Sequence, residues 1–172
     1  MQFNVAQLLK ASPGEERRYT VREEERRYEE LARDVEGDVR LMRTDRGVLV
    51  MADVETGVSC SCSRCLEGFV LPVALKVVEE YFPTVDIVTG ASVRTPEGGF
   101  AIDTHHILDL GEAVHQHALL AYPMKPLCKP DCAGLCPTCG ANLNEGKCEC
   151  PPAVTDIRWA KLEGLKLRLG RN

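Results

Sequence analysis

Nine cysteines in 172 residues, none of them before Cys60, constrain this chain more than any other feature. Three sit at positions 60, 62 and 65, and the other six lie between 128 and 150. Cysteines clustered in this way either pair as disulfides or bind metal, and the redox compartment decides between the two. The opening stretch MQFNVAQLLKASPGEERR has neither the charged start nor the long apolar run of a secretory signal. No apolar run approaches the roughly 18 residues of a membrane-spanning helix. A cytoplasmic location with no membrane partner is therefore expected, and in a reducing cytoplasm the clusters read as metal sites.

Zinc fits the donor set, because thiolate is a soft ligand and four of them close a tetrahedral site. The strongest candidate is CPTCGANLNEGKCEC, with Cys136, Cys139, Cys148 and Cys150 as ligands. Cys136 and Cys139 have the spacing of a zinc knuckle. Pro137 stiffens its turn, and Gly140 permits the positive φ that such turns need. Asn142, Asn144 and Gly146 are turn formers able to reverse the chain. Cys148 and Cys150, two apart, share a face if extended. A second set combines Cys62 and Cys65 with the wider pair Cys128 and Cys132, in a loop constrained by Pro126 and Pro130. It would bridge the strand region and the C-terminal half. Zinc is thus expected as one or two structural ions. Cys60 continues the apolar face of its strand and is expected to be a buried core thiol.

A C-x-x-C pair also serves thiol–disulfide chemistry, where it opens a helix after a strand. Here Cys65 runs into Leu66, Glu67 and Gly68 and then another strand, which counts against that use. His105 and His106 precede a helix, His115 and His117 lie on opposite sides of it, and all four read as ordinary partly buried or surface residues. No nucleophile elbow, phosphate-cradling glycine loop or H-E-x-x-H pattern is present, so no small-molecule substrate is expected.

Between the N-terminus and the first cysteines the pattern is strand-like. Val48, Val50, Ala52, Val54, Val58, Cys60 and Cys62 fall on one face, with Asp53, Glu55, Ser59 and Ser61 on the other. Phe69, Leu71, Val73, Leu75 and Val77 repeat the alternation, and CSRCLEG between them predicts a hairpin with Cys62 and Cys65 at its tip. Val35 to Met42 supplies another candidate strand. Glu15 to Arg46 carries eleven acids and nine arginines, as either a charged helix or an exposed strand with a solvated surface. Residues 83–100, rich in proline and glycine, read as a loop. A helix follows, with Asp109 as N-cap answered by Glu112, an apolar stripe of Leu110, Val114, His117 and Ala121, and Pro123 as its stop. Asp156 begins a last helix bearing Trp159, Leu162, Leu165 and Leu169.

The expected fold class is α+β. An antiparallel β region over residues 1–105 packs with a helix, and residues 106–172 carry that helix, the zinc-binding loop and the C-terminal helix. At 44% hydrophobic and 27% charged residues, the chain has an ordinary globular composition with enough apolar material for a core. A net charge of −5 argues against a large nonspecific nucleic-acid surface. The end of the chain is locally basic: Arg158, Lys161, Lys166, Arg168 and Arg171 face a single acid, Glu163. Either this is ordinary solubilising charge or it is a small phosphate-contacting patch for RNA.

The order NVAQLLK, CSRCLEGF, VVEEYF, LDLGEAV, CKPDCAGLCPTCGANLN with CEC, and DIRWAKL resembles the YceD-like family over nearly the whole chain. The most specific segments are CSRCL and GLCPTCGANLN. The resemblance implies a bacterial cytosolic ribosome-assembly factor needed for accumulation of large-subunit (23S) rRNA, without enzyme activity. Its partners would be the large-subunit precursor: rRNA, ribosomal or assembly proteins. Carried over residue by residue, the family cysteines are Cys62, Cys65, Cys128, Cys132, Cys136, Cys139, Cys148 and Cys150. Cys60 lies outside that pattern, and Ile157 stands where the family often has proline. The alternatives are a thiol–disulfide oxidoreductase using Cys62 and Cys65, or a zinc-ribbon adaptor for another protein machine.

Overall fold

A computed structural model of the chain describes residues 1–23 and 27–151. Its strands are β1 (Gln2–Asn4), β2 (Glu16–Glu23), β3 (Val35–Arg43), β4 (Val48–Ser61), β5 (Gly68–Pro83), β6 (Phe100–Ile102) and β7 (Ile107–Asp109), with helices α1 (Ala6–Leu9) and α2 (Gly111–Leu120). The seven strands form one sheet in the order β1-β7-β6-β5-β4-β3-β2. Every pairing is antiparallel except β5 with β6. The chain divides into two compact units. The first is Met1–Cys62 with Glu67–Cys128, and the second is Ser63–Leu66 with the described residues from Lys129.

The period-two pattern does what its chemistry dictates. Val48, Val50, Ala52, Val54, Val58 and Cys60 on β4 are all buried, while Asp53, Glu55, Ser59 and Ser61 are exposed. β5 follows the same alternation, and its register against β4 runs from Val48↔Tyr81 to Ser61↔Gly68. β3 pairs with β4 only as far as Glu36↔Glu55. Beyond that point the β4–β5 hairpin continues past β3, tied by Ala32 N–H to Gly57 O at 2.7 Å and Ser59 N–H to Glu30 O at 2.9 Å. Among the described residues no strand pairs the outer edge of β5 there, which suits Pro72, a residue with no N–H for a further ladder. Gly37 of β3 sits opposite Val54 with φ +153, and a Cβ on it would lie 2.2 Å from Asp53 O. Glycine is therefore what lets β3 close on β4 at that point.

Two expectations need correction. The fold is mostly β, not α+β with packed helices, because the described residues hold only a four-residue and a ten-residue helix. The charged stretch after Glu15 takes the strand option as β2, burying Val21 and half-burying Tyr19 against Phe3 at 5.0 Å. β1, β6 and β7 are three residues each, too short to show any period. The second correction concerns α2. Asp109 ends β7, and Leu110 occupies the N-cap position. The Asp109 carboxylate still accepts from Gly111 N–H at 2.9 Å, and the Arg27 guanidinium holds its other oxygen at 2.8 Å. The buried face of α2 is Gly111, Ala113, Val114 and Ala118, so Ala121 is exposed and His117 only half-buried. The expected C-terminal helix and its basic residues lie outside the described residues. Among the described residues no helix is long and apolar enough to cross a membrane.

Candidate metal centres

The second unit is built around a knuckle. Cys136 N–H donates to Ala141 O at 2.8 Å and Gly140 N–H donates back to Cys136 O at 2.9 Å. Gly140 closes the turn with φ 74. Thr138 N–H points at Cys136 Sγ from 3.4 Å. The sulfurs of Cys136, Cys139, Cys148 and Cys150 all lie within 4.8 Å of one another. Four thiolates about 2.3 Å from a tetrahedral zinc stand roughly 3.8 Å apart, so the donor set and its spacing fit that ion. The site draws its ligands from one short stretch of chain, which the Asn142 and Asn144 turns fold back on itself.

Cys62, Cys65, Cys128 and Cys132 form the other group within 4.8 Å. At the hairpin tip Cys62 N–H donates to Glu67 O at 2.9 Å. Leu66, the residue after the second cysteine, is in the left-handed region with φ 62. Gly140 holds the same place after Cys139, so both C-x-x-C turns reverse the chain in one way. At Leu66 the side chain makes that conformation cost about 1–2 kcal/mol. A strained non-glycine residue persists where its surroundings over-determine it.

Sequence reasoning missed the polar support of these thiols. Asn144 is more than a turn former: its Nδ2 donates to Cys132 Sγ at 3.4 Å and to Asn142 Oδ1 at 2.8 Å, while its Oδ1 accepts from Ala133 N–H. Arg64 Nη1 donates to Cys132 O at 2.9 Å. Such partners orient ligands without touching a metal. The only available signal was the asparagine density itself. The histidines join neither group. His115 stacks on Tyr28 at 4.0 Å, and His117 Nδ1 sits 2.9 Å from Ala113 O. Cys60 is buried in the hydrophobic core and also lies outside both groups.

Ionisation within the C-terminal group is uneven. Backbone N–H groups of Cys139 and Thr138 bring the Cys136 thiol down to about 6. Hydrogen bonding with Cys139 pushes Cys150 up to about 12. The Cys150 N–H pulls Cys148 down, but its hydrogen bond with Cys136 and its burial outweigh that and raise it overall. Zinc takes thiolates, so loading the metal-free protein near neutral pH should expel protons, those of Cys148 and Cys150 among them, and uptake should weaken as pH falls. Calorimetric titration in buffers of different ionisation enthalpy should read roughly two or more protons per ion at this group. An ion taken up with no proton release would mean that these thiols are not its ligands.

A model of the family described as large ribosomal RNA subunit accumulation protein YceD matches residues 50–166. Uncharacterised proteins of Mycobacterium bovis and Mycobacterium tuberculosis are 34% identical over 128 residues, 73% of this chain and 58% of theirs. An uncharacterised protein of Mycobacterium leprae is 28% identical over 127 residues, 73% of this chain and 56% of its own. The chain thus spans little more than half the length of these relatives. No solved structure matches.

Proposed function

Because the chain belongs to the YceD family, we propose that it is a non-enzymatic ribosome-assembly factor that supports accumulation of 23S rRNA, with zinc as a structural ion. The observation that carries the zinc part is the convergence of eight thiols into two groups of four. Four thiolates saturate a tetrahedral ion and leave no open position for substrate or water, so the metal holds the fold and does no chemistry. The ligands are Cys136, Cys139, Cys148 and Cys150 in one centre and Cys62, Cys65, Cys128 and Cys132 in the other. The partners are the large-subunit precursor, through rRNA or its assembly proteins, in the cytoplasm. Arg158, Lys161, Lys166, Arg168 and Arg171 supply phosphate contacts.

The oxidoreductase alternative needs an accessible thiolate, yet Cys62 is 0% and Cys65 4% exposed. Sedimentation separates the remaining readings. Tagged protein should travel with large-subunit precursors in a sucrose gradient, and cells lacking it should accumulate less 23S than 16S rRNA. Co-purification with a different machine and an unchanged 23S level would favour the adaptor reading instead.

A further inference from the structure

A cleft in the first unit, distant in sequence from every cysteine, has no role in the metal centres. It lies where the turn from Thr44 to Gly47 meets the end of β5 and the loop over residues 84–96, and it encloses about 380 Å³. Three arginines, Arg43, Arg46 and Arg94, line it in a chain whose net charge is −5.

Each arginine is presented differently. Arg43 is half-buried and anchored by Nη1, which donates to Thr44 O and to Gly47 O. Its Nε is buried and has no hydrogen-bond partner among the described residues. A buried donor left unpaired costs free energy. The Arg46 guanidinium lies over the Phe82 ring, 5.6 Å from its centroid, with one nitrogen 3.5 Å from Glu80. Arg94 is exposed and makes no ion pair or hydrogen bond among the described residues. Two aspartates also line the cleft. Asp45 is exposed, whereas Asp86 directs Oδ1 at Val88 N–H, Thr89 N–H and the Thr89 hydroxyl, which fixes the loop wall. That wall is closed by the Val85↔Ser92 bridge and is therefore formed before any ligand binds.

Arginines that meet an anion, beside a guanidinium held over a phenyl ring and an apolar wall, match the needs of an unpaired nucleotide. The phosphate takes charge-assisted hydrogen bonds, and the base takes a flat π surface. A double helix offers its shape and backbone over an extended surface, which a cleft of this size does not read. We propose that this cleft binds a single-stranded RNA segment, with phosphate at Arg43, Arg46 and Arg94 and a base against Arg46 and Phe82. The identity of that RNA as ribosomal rests on the assembly reading above; the binding chemistry does not.

The test uses the full chain and a fluorescein-labelled single-stranded RNA decamer, read by anisotropy at two salt concentrations. Arg94 makes no ion pair or hydrogen bond among the described residues, so Arg94→Glu should leave the thermal transition unchanged. It should weaken RNA binding about tenfold or more and lower the salt slope by about one. Phe82→Leu keeps an apolar side chain but removes the ring, and should weaken the decamer without altering its salt slope. Binding unaffected by Arg94→Glu would overturn the proposal. So would equal, Arg94-dependent binding of an acidic decapeptide, which would make this a protein site, or complete displacement by millimolar inorganic phosphate, which would make it a site for free phosphate. Gradient sedimentation keeps the two readings apart. If wild type and Arg94→Glu both travel with precursors and bind the decamer equally, the cleft proposal falls and the assembly reading stands. If Arg94-dependent RNA binding holds but the protein neither travels with precursors nor affects 23S rRNA, the assembly reading falls and the cleft proposal stands.

Discussion

Cys136→Ser should empty the C-terminal metal centre and melt the chain from Leu135 to Cys150, while the seven-stranded sheet survives. The purified parent should carry about two zinc ions per chain by elemental analysis after dialysis, and the variant about one. The reason lies in how little else holds that stretch. Its described backbone ties are short-range, such as Cys136 N–H to Ala141 O and Leu143 N–H to Gly134 O. Cys139 and most of its neighbours are exposed, so no apolar core replaces a lost ion. Structural zinc in small sites contributes about 10–16 kcal/mol of apparent binding free energy, which is folding free energy when no site exists beforehand. Amide exchange should show the loss as complete deprotection of residues 135–150 against an unchanged β4–β5 ladder. Cys60→Ala is the contrasting case. Its thiol packs in the sheet core and joins no group, so the substitution should cost on the order of 1 kcal/mol and leave zinc content unchanged. Two ions retained by Cys136→Ser, or equal damage from both variants, would show that the thiols are wrongly assigned.

The C-terminal thiol group was legible in the sequence because a knuckle is written locally. Cys136, Pro137, Cys139 and Gly140 state both the ligand spacing and the turn that serves it. β4 and β5 were legible for a similar reason: fourteen and sixteen residues of alternation leave no other way to bury Val48 through Cys60. Apart from the pairing of Cys62 and Cys65 with Cys128 and Cys132, what escaped was decided by partners far away in the chain. β1, β6 and β7 become strands only through each other and β5, as with Phe3 against Leu108 and Tyr81 against Phe100. The segment around Arg17 and Arg22 had equal claims to helix and strand until β3 offered a ladder from Glu16↔Met42 to Glu23↔Val35. Over-reading the helical signal gave the α+β expectation: α2 is real, but its buried face is small residues whose stripe is set by what lies beneath them. The cleft of Arg43, Arg46 and Arg94 was invisible for the same reason, since a turn and a distant loop build it together.

Tyr81→Ala should cost about 3–5 kcal/mol, the range for emptying a large aromatic site in a well-packed core. That is a large share of the 5–15 kcal/mol by which domains are stable. Tyr81 is 1% exposed and joins three elements: it pairs with Val48 on β4, stacks on Phe100 of β6 at 5.1 Å, and donates its hydroxyl to Asp109 O at 3.1 Å. Tyr81→Phe keeps the ring and removes only that hydrogen bond, so near neutral pH it should cost about 0.5–1.5 kcal/mol. The two variants also differ from wild type in their response to alkali. Burial, reinforced by the nearby Asp109 charge, holds the Tyr81 phenol far above the ordinary tyrosine value of 10.0. The folded state therefore favours the neutral phenol, whereas the unfolded chain loses that proton once pH passes about 10. Stability from this group is intact below pH 10 and falls as pH rises beyond it, by up to about 1.4 kcal/mol per pH unit. Denaturant titration at pH 7 and pH 11 should show wild type losing more stability over that interval than Tyr81→Phe, because lysines and the remaining tyrosines titrate alike in both. Parallel loss in the two proteins would mean that Tyr81 ionises freely in the folded state and does not sit sealed where β4, β5, β6 and β7 meet.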